Sequence, residues 1–241
     1  MKITDYVENR INKLPKGYVF TYSDIVQDVN QKEAVIKALN RMVKAGKLAK
    51  LAKGKFYRPE NSPFGNLEPI PQEVVKDLLT AKGNITGYLT GYSIYNQLGL
   101  TTQTSNTIQI GKNEIRPTLK RGPYIISFIK QKNNITKENI KLLQLLDAIK
   151  FIKKIPDTTV EKSCKQIVYL LNELQESDIN RLISLALKYP PSTRALLGAM
   201  LDSVQKKVNT DKLYHSLNPI TKYKLPEVKS VLPSADKWNI Q

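Results

Sequence analysis

Lys37, Asn40, Arg41 and Lys44 recur three or four residues apart, the spacing that gathers side chains on one face of an α-helix. Those residue types suit a DNA duplex. Arg matches guanine edges and Asn adenine edges in the major groove, while Lys neutralises phosphate. A second basic group, Lys50, Lys53 and Lys55, surrounds Gly54, and a hairpin tipped by that glycine would lay its lysines along the phosphate backbone. Between Glu33 and Glu60 stand eight basic residues and no acid. An amphipathic helix with an ordinary solvated face would show the first stripe alone. The basic hairpin directly behind it favours DNA.

Other chemistries lack their residues. With one cysteine, Cys164, and one histidine, His215, the chain has neither an internal disulfide nor a Cys- or His-built metal site, and a Cys–His dyad is not expected. No GxxxxGK[ST] and no GxGxxG occurs, so no phosphate-cradling loop is marked. The carboxylates are scattered singly, whereas a nuclease or nucleotidyltransferase needs them close together to hold metal ions. Glu173, Glu176 and Asp178 sit at a helix junction where capping accounts for them. We therefore expect no catalytic residues, no metal, no cofactor and no enzymatic activity. The enzyme alternative would need carboxylates that meet only in three dimensions.

These side chains need elements to position them. Thr4 and Asp5 can cap a first helix reaching about Lys13, and Pro15-Lys16-Gly17 stops it. Tyr18-Val19-Phe20 is a short β-prone run, and Thr21 is a candidate cap for a second helix over residues 22–29. Asn30 breaks the chain before a third helix over residues 31–45, which Gly46 ends with a left-handed cap. In that helix Val35, Ala38, Leu39 and Met42 form the apolar stripe, opposite the basic one. Leu48 to Leu51 and Phe56 to Arg58 then flank the turn at Ala52-Lys53-Gly54-Lys55. Helix, helix, helix and basic hairpin is the order of a winged helix-turn-helix.

Beyond it, residues 61–71 hold the prolines and glycine of a linker, followed by a helix over 72–79 and a turn at Lys82-Gly83-Asn84. A short helix over 92–98 ended by Gly99, strands near 106–110 and 124–128, and a weaker one at 115–119 make a small α+β unit. Tyr88, Tyr92 and Tyr95 could stack on a ligand, but their close spacing points to packing. From Thr136 the pattern is helical: Ile140, Leu143, Leu146, Ile149 and Ile152 repeat as a stripe that Pro156 ends. Further helices fall over 160–174, 178–187 and 192–204, the last with Ser192 as its cap, and form a bundle. The tail from Tyr214, with Tyr223 and Trp238, is expected to dock on the body.

The expected fold class is thus α+β, mainly helical, in three parts: a winged helix-turn-helix at 1–60, a small α+β unit at 61–133 and a helical bundle with an extended tail at 134–241. The 241 residues carry a formal charge of +17 and are 41% hydrophobic, enough to build real cores. Residues 1–60 hold 13 basic and 6 acidic side chains, against 17 and 11 over 134–241. The attraction for a polyanion is concentrated near the N-terminus. Neither a signal-type apolar run nor a membrane-length one occurs, so a soluble, cytoplasmic protein that binds no membrane is expected.

Residues 17–59 resemble the N-terminal domain of AbiEi-like antitoxins of type IV toxin–antitoxin systems from bacterial abortive-infection loci. The likeness lies in the run from Val35 to Leu48, similar to that family's recognition helix and turn, and in Leu51-Ala52-Lys53-Gly54-Lys55-Phe56-Tyr57-Arg58-Pro59, similar to its wing. Thr86 to Ser93 with Asn96 to Gln103 is similar to the segment that follows in these proteins, and Leu217 to Leu225 with Trp238-Asn239-Ile240 resembles an uncharacterised branch of the same group; residues 136–205 do not match residue by residue. The resemblance implies a DNA-binding repressor of its own promoter that counters a nucleotidyltransferase toxin without a stable complex. The alternatives are a winged-helix transcriptional regulator without antitoxin activity, or a protein-docking module.

Overall fold

The computed structural model describes residues 3–26, 32–63 and 65–241. The chain separates into two compact units, one of residues 1–78 with 119–125, the other of 79–118 with 126–241. Composition places boundaries after 60 and 133. Packing instead keeps the helix after the linker with the first unit and returns a short hairpin to it.

In the first unit α1 (Ile3–Asn12) leads to β1 (Val19–Thr21), α2 (Tyr22–Ile25), α3 (Lys32–Lys44), β2 (Ala49–Ala52) and β3 (Lys55–Tyr57). β3 lies between the other two strands and is antiparallel to both, with Phe20 opposite Phe56 and Ala49 opposite Tyr57. Val35, Ala38, Leu39 and Met42 of α3 close on Val7 and Ile11 of α1, Ile25 of α2, and Phe20, Leu48 and Phe56. Burying such side chains, at about 1.5–3 kcal/mol each, fixes which face of α3 is left to solvent. The Asp24 carboxylate accepts hydrogen bonds from the Thr21 N–H and hydroxyl at the start of α2. Because α1 already includes Ile3, Thr4 and Asp5 lie in its first turn rather than capping it. α2 closes at Ile25 with Val26 already extended, earlier than the expected end of the second helix, and the expected break at Asn30 falls outside the described residues.

The stretch expected as a linker contains a hairpin, β4 (Glu60–Ser62) with β5 (Gly65–Leu67), before α4 (Pro71–Leu79). Asn61 and Ser62 pair with Asn66 and Gly65, although no apolar face marks this hairpin in the sequence. The strand expected near 115–119 lies later, as β10 (Leu119–Arg121), joined through Gly122 and Pro123 to β11 (Tyr124–Lys130). The Gly122 N–H donates to the Leu51 carbonyl at 2.9 Å.

The second unit opens with a hairpin, β6 (Thr80–Ala81) and β7 (Asn84–Ile85). β8 (Gly87–Thr90) then pairs antiparallel with β9 (Thr107–Lys112), and residues 126–130 of β11 lie on the other side of β9. Between β8 and β9, α5 (Tyr92–Tyr95) is shorter than expected. Its leading Gly91 has φ +57°, and a Cβ there would meet the Gln109 side chain, so a larger residue would be strained. Tyr88 and Tyr95 are buried, as packing residues.

Helices α6 (Lys137–Lys150), α7 (Val160–Asn172), α8 (Glu176–Ala186) and α9 (Pro191–Leu201) follow. α6 is buried nearly all round, with Leu142, Leu143, Leu146 and Ile149 in a core shared with Ile167, Leu171, Leu182, Leu197 and Met200. It stops at Lys150, and Ile152 belongs to a separate 3-10 turn, Ile152–Lys154. α9 begins at Pro191 with Pro190 at the cap position, so Ser192 is inside the helix; proline's fixed φ suits a first helical residue. After a short α10 (Asp211–His215) the tail docks as expected. Trp238 is fully buried and its indole N–H donates to Asp202 at 2.8 Å, while Tyr223 bridges in parallel to Ile240. The fold is α+β, and no helix among the described residues is long and apolar enough to cross a membrane.

Candidate nucleic-acid interface

On α3 the exposed side chains include Lys37, Asn40, Arg41 and Lys44, spaced i, i+3, i+4 and i+7. The buried stripe has the same spacing displaced by two residues, or about 200° of helical rotation. The core therefore turns the basic stripe fully outward. Arg41 is steadied by one long hydrogen bond, 3.4 Å, to the Thr4 hydroxyl. Lys47, just past the helix, is paired with Glu8.

The β2–β3 hairpin presents the second group. Its loop is Lys53-Gly54, and Gly54 has φ +73°, a conformation that costs glycine nothing. Lys50 on β2 and Lys53 in the loop are exposed. Lys55 behaves differently: its ammonium sits 3.0 Å from an Asp77 carboxylate oxygen and its side chain is only 18% exposed. The same carboxylate takes both Nη atoms of Arg121, whose Nη1 also donates to the Val74 carbonyl at 2.7 Å. Burial of Asp77 would raise its pKa, but the hydrogen bonds and charges of Arg121 and Lys55 outweigh it and hold the carboxyl below its usual range. Arg58 is likewise engaged, donating to the Asn12 and Leu14 carbonyls at the end of α1.

Of the seven residues singled out by sequence, six stand exposed on α3 and the hairpin, while Lys55 is held in an ion-pair cluster with Asp77 and Arg121. Asp77 and Arg121 were missed. The Gly122-Pro123 pair signals a turn beside Arg121, but nothing local tells that this turn folds back on β2.

Elsewhere the reactive residue types are tied up in structure. Asp147 is 1% exposed and accepts 2.8 Å hydrogen bonds from the hydroxyls of Tyr88, Thr90 and Tyr189. Gln131 in turn donates to both tyrosines. Burial outweighs these three donors, so the Asp147 carboxyl titrates above its ordinary value. Burial also pushes the Cys164 thiol up to about 12, far from a reactive thiolate. Among the described residues no group of three or more metal-binding side chains converges.

The fold and site define a small α+β protein whose first unit offers a basic helix face and a basic hairpin. The chain belongs to a family of unknown function, DUF6088, whose model matches residues 6–181. No curated protein matches it. Among solved structures it is similar to the crystal structure of the RV2827C protein from Mycobacterium tuberculosis, with 15% identity and a TM-score of 0.58 over 90% of this chain and 82% of that one. At that identity the likeness establishes the fold alone.

Proposed function

We propose that the first unit is a winged helix-turn-helix that binds double-stranded DNA, and that the protein is a non-enzymatic autorepressor of its own promoter. Lys37, Asn40 and Arg41 read or align on the major groove, Lys44 lies close to phosphate, and Lys50 and Lys53 hold the backbone through the wing. The carrying observation is that α3, buried on one stripe, presents an unbroken polar stripe of Lys, Asn, Arg and Lys. The strand order β1-β3-β2 behind it supports the same reading, since a wing is a hairpin paired to a third strand. The role as antitoxin to a nucleotidyltransferase toxin, without a stable complex, rests on the AbiEi-like resemblance of residues 17–59.

Fluorescence anisotropy with a labelled duplex taken from upstream of the protein's own gene tests the first part. Saturable binding is expected, and Arg41→Ala should weaken it while relaxing the preference for that duplex over a scrambled one. Absence of binding at low salt would overturn the proposal and favour a protein-docking module. Co-expression with an adjacent nucleotidyltransferase-like gene tests the second part: rescue of growth is expected, and unrelieved toxicity would refute the antitoxin role.

A further inference from the structure

The second unit holds a cavity of about 400 Å³ whose lining includes Lys150, Lys153, Lys154, Lys222 and Lys224 and no carboxylate. Lys150, Lys153 and Lys154 stand at the end of α6 and in the turn after it, where cations offset the last helix carbonyls. That accounts for three of the five. Lys222 and Lys224 arrive from the tail, held there by the hydrogen bonds of Tyr223 to Asn239 and Gln241. Among the described residues none of the five forms a salt bridge. Lys153 donates to the Lys224 carbonyl at 2.8 Å, and Lys150 and Lys154 lie 4.8 and 5.7 Å from the centre of the Phe151 ring.

Two features suggest a ligand rather than a solvated patch. The first turn of α9 supplies the hydroxyls of Ser192 and Thr193 to the same wall. The remaining surface is apolar and aromatic, with Phe151, Leu196 and Leu225. The cavity is of the size that small ligands occupy.

We propose that this cavity binds a nucleoside phosphate, its phosphates among the lysines and its base against the apolar wall. A concave site of this size takes a compact ligand better than it takes a stretch of duplex. The proposal lies in the second unit and does not depend on DNA binding by the first.

Isothermal titration of the full chain at low salt with ATP, pyrophosphate and adenosine tests it. ATP should bind more tightly than either fragment, and salt should weaken it. Lys154→Glu with Lys222→Glu, both exposed positions, should lower ATP affinity at least about tenfold. Lys224→Gln, also at an exposed position, should leave the melting temperature unchanged while ATP affinity drops several-fold. ATP binding no tighter than adenosine, or equal affinity in wild type and both variants, would overturn the proposal. So would a signal with short duplex DNA and none with ATP, which would assign the lysines to nucleic acid.

Discussion

Lys53 and Lys55 are two residues apart on the same hairpin, yet they should contribute unequally to DNA binding. Each phosphate neutralised by a free cation adds about 0.9 to the slope of log affinity against log salt. Lys37, Arg41, Lys44, Lys50 and Lys53 are exposed and make no salt bridge among the described residues. If all five meet phosphate the slope is about −4.5, and raising salt from about 50 to 200 mM lowers affinity roughly 500-fold. Lys55 already lies 3.0 Å from Asp77, with a side chain 18% exposed, so its charge is neutralised before DNA arrives. Lys53→Ala should therefore flatten the slope by about 0.9, and Lys55→Ala by less than half as much. Arg121 keeps its two bonds to Asp77 in either variant, so the fold survives both. Anisotropy titrations at several salt concentrations give the slopes directly. Equal flattening by the two substitutions would refute the reasoning from the Asp77 cluster, and no flattening by either would remove the hairpin from the interface.

Two stability predictions come from the second unit. Because the folded Asp147 keeps its proton to a higher pH than the unfolded chain does, the native state binds more protons between the ordinary carboxylate value and the raised one. Its contribution to stability then falls as pH rises through that window; urea titrations should show Asp147→Asn losing this decline, and an unchanged pH profile would refute it. A Cβ at Gly198 would lie 2.2 Å from the Trp238 ring. Gly198→Ala should thus destabilise by about 1–3 kcal/mol through overpacking, despite alanine's better helix propensity, and a stabilised variant in chemical denaturation would contradict the packing described.

Much of the molecule is legible locally because helices and tight turns depend on near neighbours. The two stripes of α3 and the Gly54 turn could be placed from spacing and residue type. So could the helices of the second unit, within a few residues at each end. The β4–β5 hairpin could not, since Glu60, Asn61 and Ser62 have neither the alternation nor the branched side chains that mark strands. α5 ends three residues early because a helix boundary depends on what packs against its last turn.

What the sequence determined by itself is the basic character of the α3 face and of the hairpin, since helical periodicity and turn chemistry act over a few residues. Only the tertiary structure decided which of those charges stay free. Lys55 is claimed by Asp77 and Arg121, which lie 22 and 66 positions further along the chain. It likewise drew Lys150 and Lys222 into one cavity. Coulomb and hydrogen-bond partners are set by proximity in space, and proximity between distant segments is fixed by core packing.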